Sequence, residues 1–258
     1  MKLQLTYFNL APNVTVFSTT RHGGVSKGLY GELNINPFCG DDAEAIQQNR
    51  RTLAQALSID EQCLVLPHQV HGTVIKAVNN DFFALPSEAQ HRFIEGIDGI
   101  MTDCKGVSIG VSTADCIPII LYDEVHHAAS AVHAGWRGTV KRIASKAVGA
   151  MTQRYGTQPE KLKALIGPGI SMKNFEVGEE VFYAFQDEGF DMKFIAERHK
   201  KWHINLPECN RLQLLDAGVQ AENIVNSAIC TYDNAADYFS ARRLGISSGR
   251  IYTGVIVH

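Results

Sequence analysis

Long apolar runs are missing from this chain of 258 residues. The most apolar stretches, such as CIPIILY, are only strand length, so no window approaches the roughly 20 residues of a membrane-spanning helix. At the N-terminus, MKLQLTYFNLAPNVTV carries one lysine, and its apolar residues are interrupted by Gln4, Asn9, Pro12 and Asn13. No signal-peptide core fits there, which predicts a soluble, cytoplasmic protein. Basic charge is also scarce: the formal net charge is -3, with no stripe to neutralise a phosphate backbone, which argues against nucleic acid and for a small-molecule partner. The six cysteines (39, 63, 104, 116, 209, 230) include no CxxC pair, which argues against a disulfide scaffold and a zinc ribbon and predicts reduced thiols. Low-complexity segments, linkers and repeats are absent too, so the expected organisation is one domain over residues 1–258.

What is present is a hydrophobic content of 45%, enough for a sizeable core, and a mixture of strand and helix signals. β-Branched runs predict strands at 15–18, 73–78, 107–112, 117–122, 128–133, 162–166, 229–231 and 251–257. Helices are expected at 43–57 and 139–155, the second from Val140, Ile143, Ala144, Ala147, Val148, Met151 and Tyr155 at helical spacing, with others at 179–186 and 206–217. Short connections between the 107–112, 117–122 and 128–133 runs suggest antiparallel or mixed pairing, hence an α+β layered architecture.

Three segments carry chemistry. In GVSIGVSTADCIPIILYD a polar notch, Thr113 to Cys116, separates two apolar strands and puts Cys116 at a sheet edge. In AASAVHAGWRGTVKRIASKAV a strand ends at His133, and a Gly135 to Gly138 turn leads into the helix. In LPHQVHGTVIKAV, Pro67 favours extended backbone; side-chain alternation then puts Gln69 and His71 on one face and His68 on the other, so at most one of the two histidines reaches a given ion.

One thiolate with two imidazoles suits zinc, with copper as the alternative, and leaves a fourth position open in the catalytic manner. Arg137 and the backbone N–H groups after Gly135 could hold phosphate, and Arg21 in the loop STTRHGGVSKG adds a weaker cation. Spacing alone leaves the plainer readings open: Cys116 as a small core residue and His133 as an ordinary strand end. His68, His91, His126, His127, His199 and His203 read as structural or solvated, as do Arg242 and Arg243.

In this order, STTRHGGVSKG, NINPFCGDD, QQNR, HQVHG, DGIMTD, STADCIPI, AVHAGWRGT, IGPGIS, FEVGEEV and CTYDNAADYFSARRLGISSGR resemble the YfiH/YlmD laccase-domain family across almost the whole chain. That resemblance implies two mixed sheets packed in layers with helices outside. It also implies purine nucleoside phosphorolysis, adenosine deamination and methylthioadenosine phosphorolysis in a family first labelled a polyphenol oxidase. Carried over by motif, the metal ligands fall on His71, Cys116 and His133. Asp115 is then the nearest acid or base, or else the cap of its turn. Arg137, Arg21, Arg50 and Gln69 become the substrate and phosphate residues, with purine nucleosides and inorganic phosphate as partners. Three rivals stay in view: a copper polyphenol oxidase, which the absence of any HxH pair counts against; a metal-free hydrolase with Cys116 as nucleophile and His133 as base; and an assembly module with a structural metal.

Overall fold

The computed structural model describes residues 2–258. Its frame is two large mixed sheets laid face to face. The first has five strands in the order Leu5–Phe8, Val14–Thr19, Ile251–Val257, Ser108–Thr113 and Leu64–Val65. The second has six, in the order Ile224–Asn226, Lys163–Ile166, Ile117–Asp123, Ala128–Ala134, Gly99–Thr102 and Ile75–Ala77. A small three-stranded sheet (Glu176–Val177, Trp202–Ile204, Ala196–Arg198) lies outside both.

Side-chain alternation explains the layering. On the Ile117–Asp123 strand, Ile120 and Tyr122 pack with Val16, Ile109, Val111 and Val255 of the first sheet, filling the space between the sheets. The alternate residues Ile117, Ile119 and Leu121 pack instead against Ala144, Ala147, Val148 and Met151 of the Ile143–Tyr155 helix. A strand covered on both faces is largely apolar, and every residue of Ile117–Asp123 is buried, with only its terminal Asp123 charged. Each fully buried branched side chain contributes about 1.5–3 kcal/mol, so this strand anchors the sandwich. On the outer face of the first sheet, Phe17, Leu64, Tyr252 and Ile256 meet Leu53 of the Ala43–Leu57 helix.

The 43–57 helix has the expected bounds because both ends are capped: the Asp42 side chain accepts from the Ala45 N–H and Ser58 closes the helix in a left-handed conformation. Its buried Asn49 donates to the carbonyls of Glu32 and Asn34, fixing the loop that leads to Phe38.

Four expectations need correction. The 107–112 and 117–122 runs do not pair; the chain changes sheets at residues 114–116, and only Ile117–Asp123 and Ala128–Ala134 form the antiparallel neighbours. No strand forms at 229–231, where Cys230 makes a single bridge to Gly169; the edge strand is Ile224–Asn226, parallel to Lys163–Ile166. The 139–155 helix is two helices, Trp136–Val140 and Ile143–Tyr155, separated by left-handed Arg142 (φ 62°). Buried Gln213 bridges the break by donating to the Thr139 carbonyl and accepting from the Ala144 N–H. Finally, the 73–78 strand shortens to Ile75–Ala77, and residues 69–74 before it are not extended strand. All six cysteines are free, and no described helix is long and apolar enough to cross a membrane.

Candidate metal centre

At one end of the sandwich three chain segments converge. His133 lies one residue from the end of its strand, opposite Pro118, with the parity of Ala129 and Ala131, so its ring enters the space between the sheets. Cys116 follows the turn by which the chain passes from the first sheet to the second. That turn is held by Asp115, which adopts a left-handed φ of 91° and accepts from the Thr231 hydroxyl (2.8 Å) and the Arg242 N–H (2.7 Å). His71 comes from a bend before Ile75–Ala77 and is itself left-handed, with φ 59°.

The bend is organised by Asp98, a fully buried carboxylate just ahead of the Gly99–Thr102 strand. Its oxygens accept from the backbone N–H groups of Val70 (3.2 Å), His71 (2.9 Å) and Gly72 (2.6 Å). Asp98 Oδ1 also accepts from His133 Nδ1 at 2.7 Å, which leaves Nε2 of His133 as the free donor atom. Burial alone would raise the Asp98 carboxyl; hydrogen bonding and charge from His133, with the Gly72 and Val70 N–H groups, outweigh it and hold the group below its ordinary value.

One ligand atom from each of His71, Cys116 and His133 lies within 4.8 Å of the others. Cys116 Sγ is 3.9 Å from His71 Nε2, and the two imidazoles are 4.7 Å apart at 76°. Donors about 2.0–2.3 Å from one tetrahedral ion stand roughly 3.5 Å apart, so small adjustments would let these three share a zinc. Gly135 keeps the space clear: a Cβ there would fall 2.8 Å from His71 Cδ2 and 3.1 Å from Cys116 Sγ. The soft donor set, the orienting carboxylate and the side-chain-free floor all suit a metal ion.

Without an ion, Cys116 and His133 shift each other's protonation. Burial works against the Cys116 thiolate, but the charge and hydrogen bonds of His133 and His71 prevail and bring the thiol down to about 6. Burial likewise disfavours His133 in its charged form; Cys116 and Asp98 reverse this and raise it to about 9. Above the floor opens a pocket of about 280 Å³, bordered by Asn36, Phe38, His68, Gln69, Ile246 and Arg250 among others.

The family profile described as multi-copper polyphenol oxidoreductase laccase matches residues 15–258. The chain belongs to this laccase-like YfiH/YlmD family. A purine nucleoside phosphorylase from Bacteroides thetaiotaomicron is 42% identical, covering 100% of this chain and 97% of that protein. An adenosine deaminase from an unknown prokaryotic organism is 40% identical over 98% of this chain and 97% of its own. The crystal structure of YlmD from Geobacillus stearothermophilus superposes with a TM-score of 0.88 at 32% identity, covering 96% of this chain and 94% of that one.

Within this family frame the other residues named from the sequence scatter. Asp115 directs its carboxylate to Thr231 and Arg242 and holds the turn under Cys116. Gln69 borders the pocket, but its amide pairs with the Ser112 backbone in both directions at 2.8 Å, as a strand residue would. Arg21 donates to the carbonyls of Gly31 and Ala235, and Arg50 to that of Leu64, so both guanidiniums brace backbone. Arg137 is exposed, its guanidinium 4.3 Å from the Trp136 ring centre, two residues past Gly135. Two features went unread. Asp98 sits in DGIMTD, where one acid before a strand gives no local sign that it faces a histidine 35 residues on. His68 pairs with Glu95 (2.6 Å) and stacks on Phe38, a pairing invisible in spacing.

Proposed function

We propose that this chain is a zinc-dependent purine nucleoside phosphorylase whose pocket also deaminates adenosine and phosphorolyses methylthioadenosine, with copper the alternative ion. The convergence of His71, Cys116 and His133 on a side-chain-free floor carries the reading, supported by the purine enzymes among its relatives. Cys116 Sγ, His133 Nε2 and the His71 ring would hold the ion, which supplies Lewis acidity at the floor of the pocket. Asp98 fixes the His133 tautomer and, through the 70–72 N–H groups, the position of His71. In phosphorolysis a phosphate oxygen bonds to C1′ as the C1′–N bond breaks, and the released purine takes up a proton. Arg137 is the cation we assign to phosphate, since Arg21 and Arg50 are engaged on carbonyls. Asp115 supports the Cys116 turn rather than carrying a proton. The protein works in the cytoplasm as one domain over 1–258, with reduced thiols.

The test is product analysis with inosine and adenosine, with and without phosphate, beside elemental analysis and a Cys116→Ala control. We expect phosphate-dependent ribose 1-phosphate and free base, lost in the variant together with the metal. Metal-loaded protein that forms neither product would sink the phosphorylase reading.

One observation favours a second reading. A thiol near 6 beside an imidazole near 9, with Asp98 behind it, is also a Cys-His-Asp arrangement for metal-free hydrolysis. Full activity in chelated protein, abolished by iodoacetamide, would decide for it. Multicopper oxidation gains less support, since one three-donor cluster occurs among the described residues.

A further inference from the structure

The polar side chains bordering the pocket are largely engaged already. Gln69 is paired with the Ser112 backbone, and Asn36 donates to the Ser112 hydroxyl while accepting from the Phe38 N–H. The Arg250 guanidinium donates to the carbonyls of Ile246 (2.9 Å), Ser248 (2.6 Å) and Gly249 (3.0 Å), tying down the loop that carries Ile246. Left over at the mouth are apolar surfaces. Phe38 is 45% exposed and Ile246 80% exposed, although both border a pocket. The Phe38 ring is backed by His68, stacked at 4.1 Å and 19°, and His68 is itself held by Glu95. Water gains nothing from a fixed, exposed aromatic ring, whereas a planar heterocycle does.

Resting on the phosphorylase reading above, we propose that Phe38, backed by His68, and Ile246 form the base platform, holding a purine by its faces and not by its edges. The ribose then points down toward His71, Cys116 and His133. Because stacking tolerates any base with a π-face, the pocket accepts adenine, hypoxanthine and guanine with similar affinity.

The experiment compares wild type, Phe38→Ala, Phe38→Tyr and Ile246→Ser in the metal-loaded protein, by turnover and by calorimetric binding of adenosine, inosine and guanosine. Phe38→Ala should raise KM and Kd for all three together by about 10-fold or more, Ile246→Ser by a smaller factor, and Phe38→Tyr by little, with metal content and Tm unchanged. Unchanged constants in Phe38→Ala, or a rise confined to one base, would overturn the platform while leaving an active wild type's phosphorylase reading intact. Binding that needs Phe38 in a wild type without turnover would keep the platform and remove the phosphorylase reading. A wild type that neither binds nor turns over any of the three removes both.

Discussion

His133 and His71 present the same ring to the same point from opposite kinds of structure. The first stands on a strand buried on both faces and is itself only 3% exposed; the second is exposed, in a bend held by three N–H bonds to Asp98. A strand fixes a side chain through the packing of its neighbours, so altering that side chain disturbs the core. A bend held from outside can lose its side chain and keep its shape.

The difference can be broken most directly by truncation. His133→Ala leaves the buried Asp98 carboxylate facing an emptied site, and we expect the metal-free protein to lose about 3–5 kcal/mol in denaturant unfolding. His71→Ala should cost less than about 1 kcal/mol in the same measurement, while both variants lose metal. Equal destabilisation by the two would show that the bend is as tightly integrated as the strand.

Asp98→Asn acts on both at once. It weakens the partner of His133 Nδ1 and the acceptor of the bend, and should lower zinc affinity about 10- to 100-fold by competition with a chromogenic chelator. Unchanged affinity would mean that neither histidine relies on the carboxylate for its orientation.

The protonation of the floor gives a graded test. From about pH 6 to 9 the thiol has already lost its proton while His133 holds one, so metal uptake must displace that proton. Affinity should therefore rise about tenfold per pH unit across this window, more steeply below about 6 where Cys116 is also protonated, and level off above about 9. A flat profile from 6 to 9 would mean that His133 is neutral before the ion arrives. The smallest effect belongs to Arg137, whose side chain is exposed to solvent. Arg137→Ala should raise the phosphate KM about three- to fivefold, equivalent to about 0.6–1 kcal/mol, with the nucleoside KM unmoved. Phosphorolysis with an unaltered phosphate KM would remove Arg137 from the site.

What the sequence could and could not disclose follows the same division. The positions of Cys116 and His133 at strand ends were legible because strand signals of strict length end where a sheet must end, their role as ligands being implied only by the family motifs. The Ala43–Leu57 helix was legible because its caps are local. Alternation along an extended strand separates His71 from His68, but the chain there bends through a left-handed residue, so it is the family motif and not alternation that picks out His71. Gln213, which mends the break at Arg142, acts from about 70 residues away, and Asp98 acts on His133 across 35. Periodicity carries no information about such partners. Arg50 and Arg21 looked like free cations because their carbonyl partners are set only by tertiary folding.

The Asp98 cradle has a further consequence, for folding. His71 and Cys116 are 45 residues apart in the chain, and their donor atoms meet in the folded structure, where the Gly99–Thr102 strand pairs beside His133 and Asp98 just ahead of it holds the bend. An unfolded chain offers no such three-point site, so on the metal reading proposed above an ion would recognise the assembled sandwich and act as a clasp on it. At a free metal concentration of 1,000 times Kd the native state would then gain about 4 kcal/mol, and chelation is expected to lower the melting temperature of the whole molecule rather than loosen one loop.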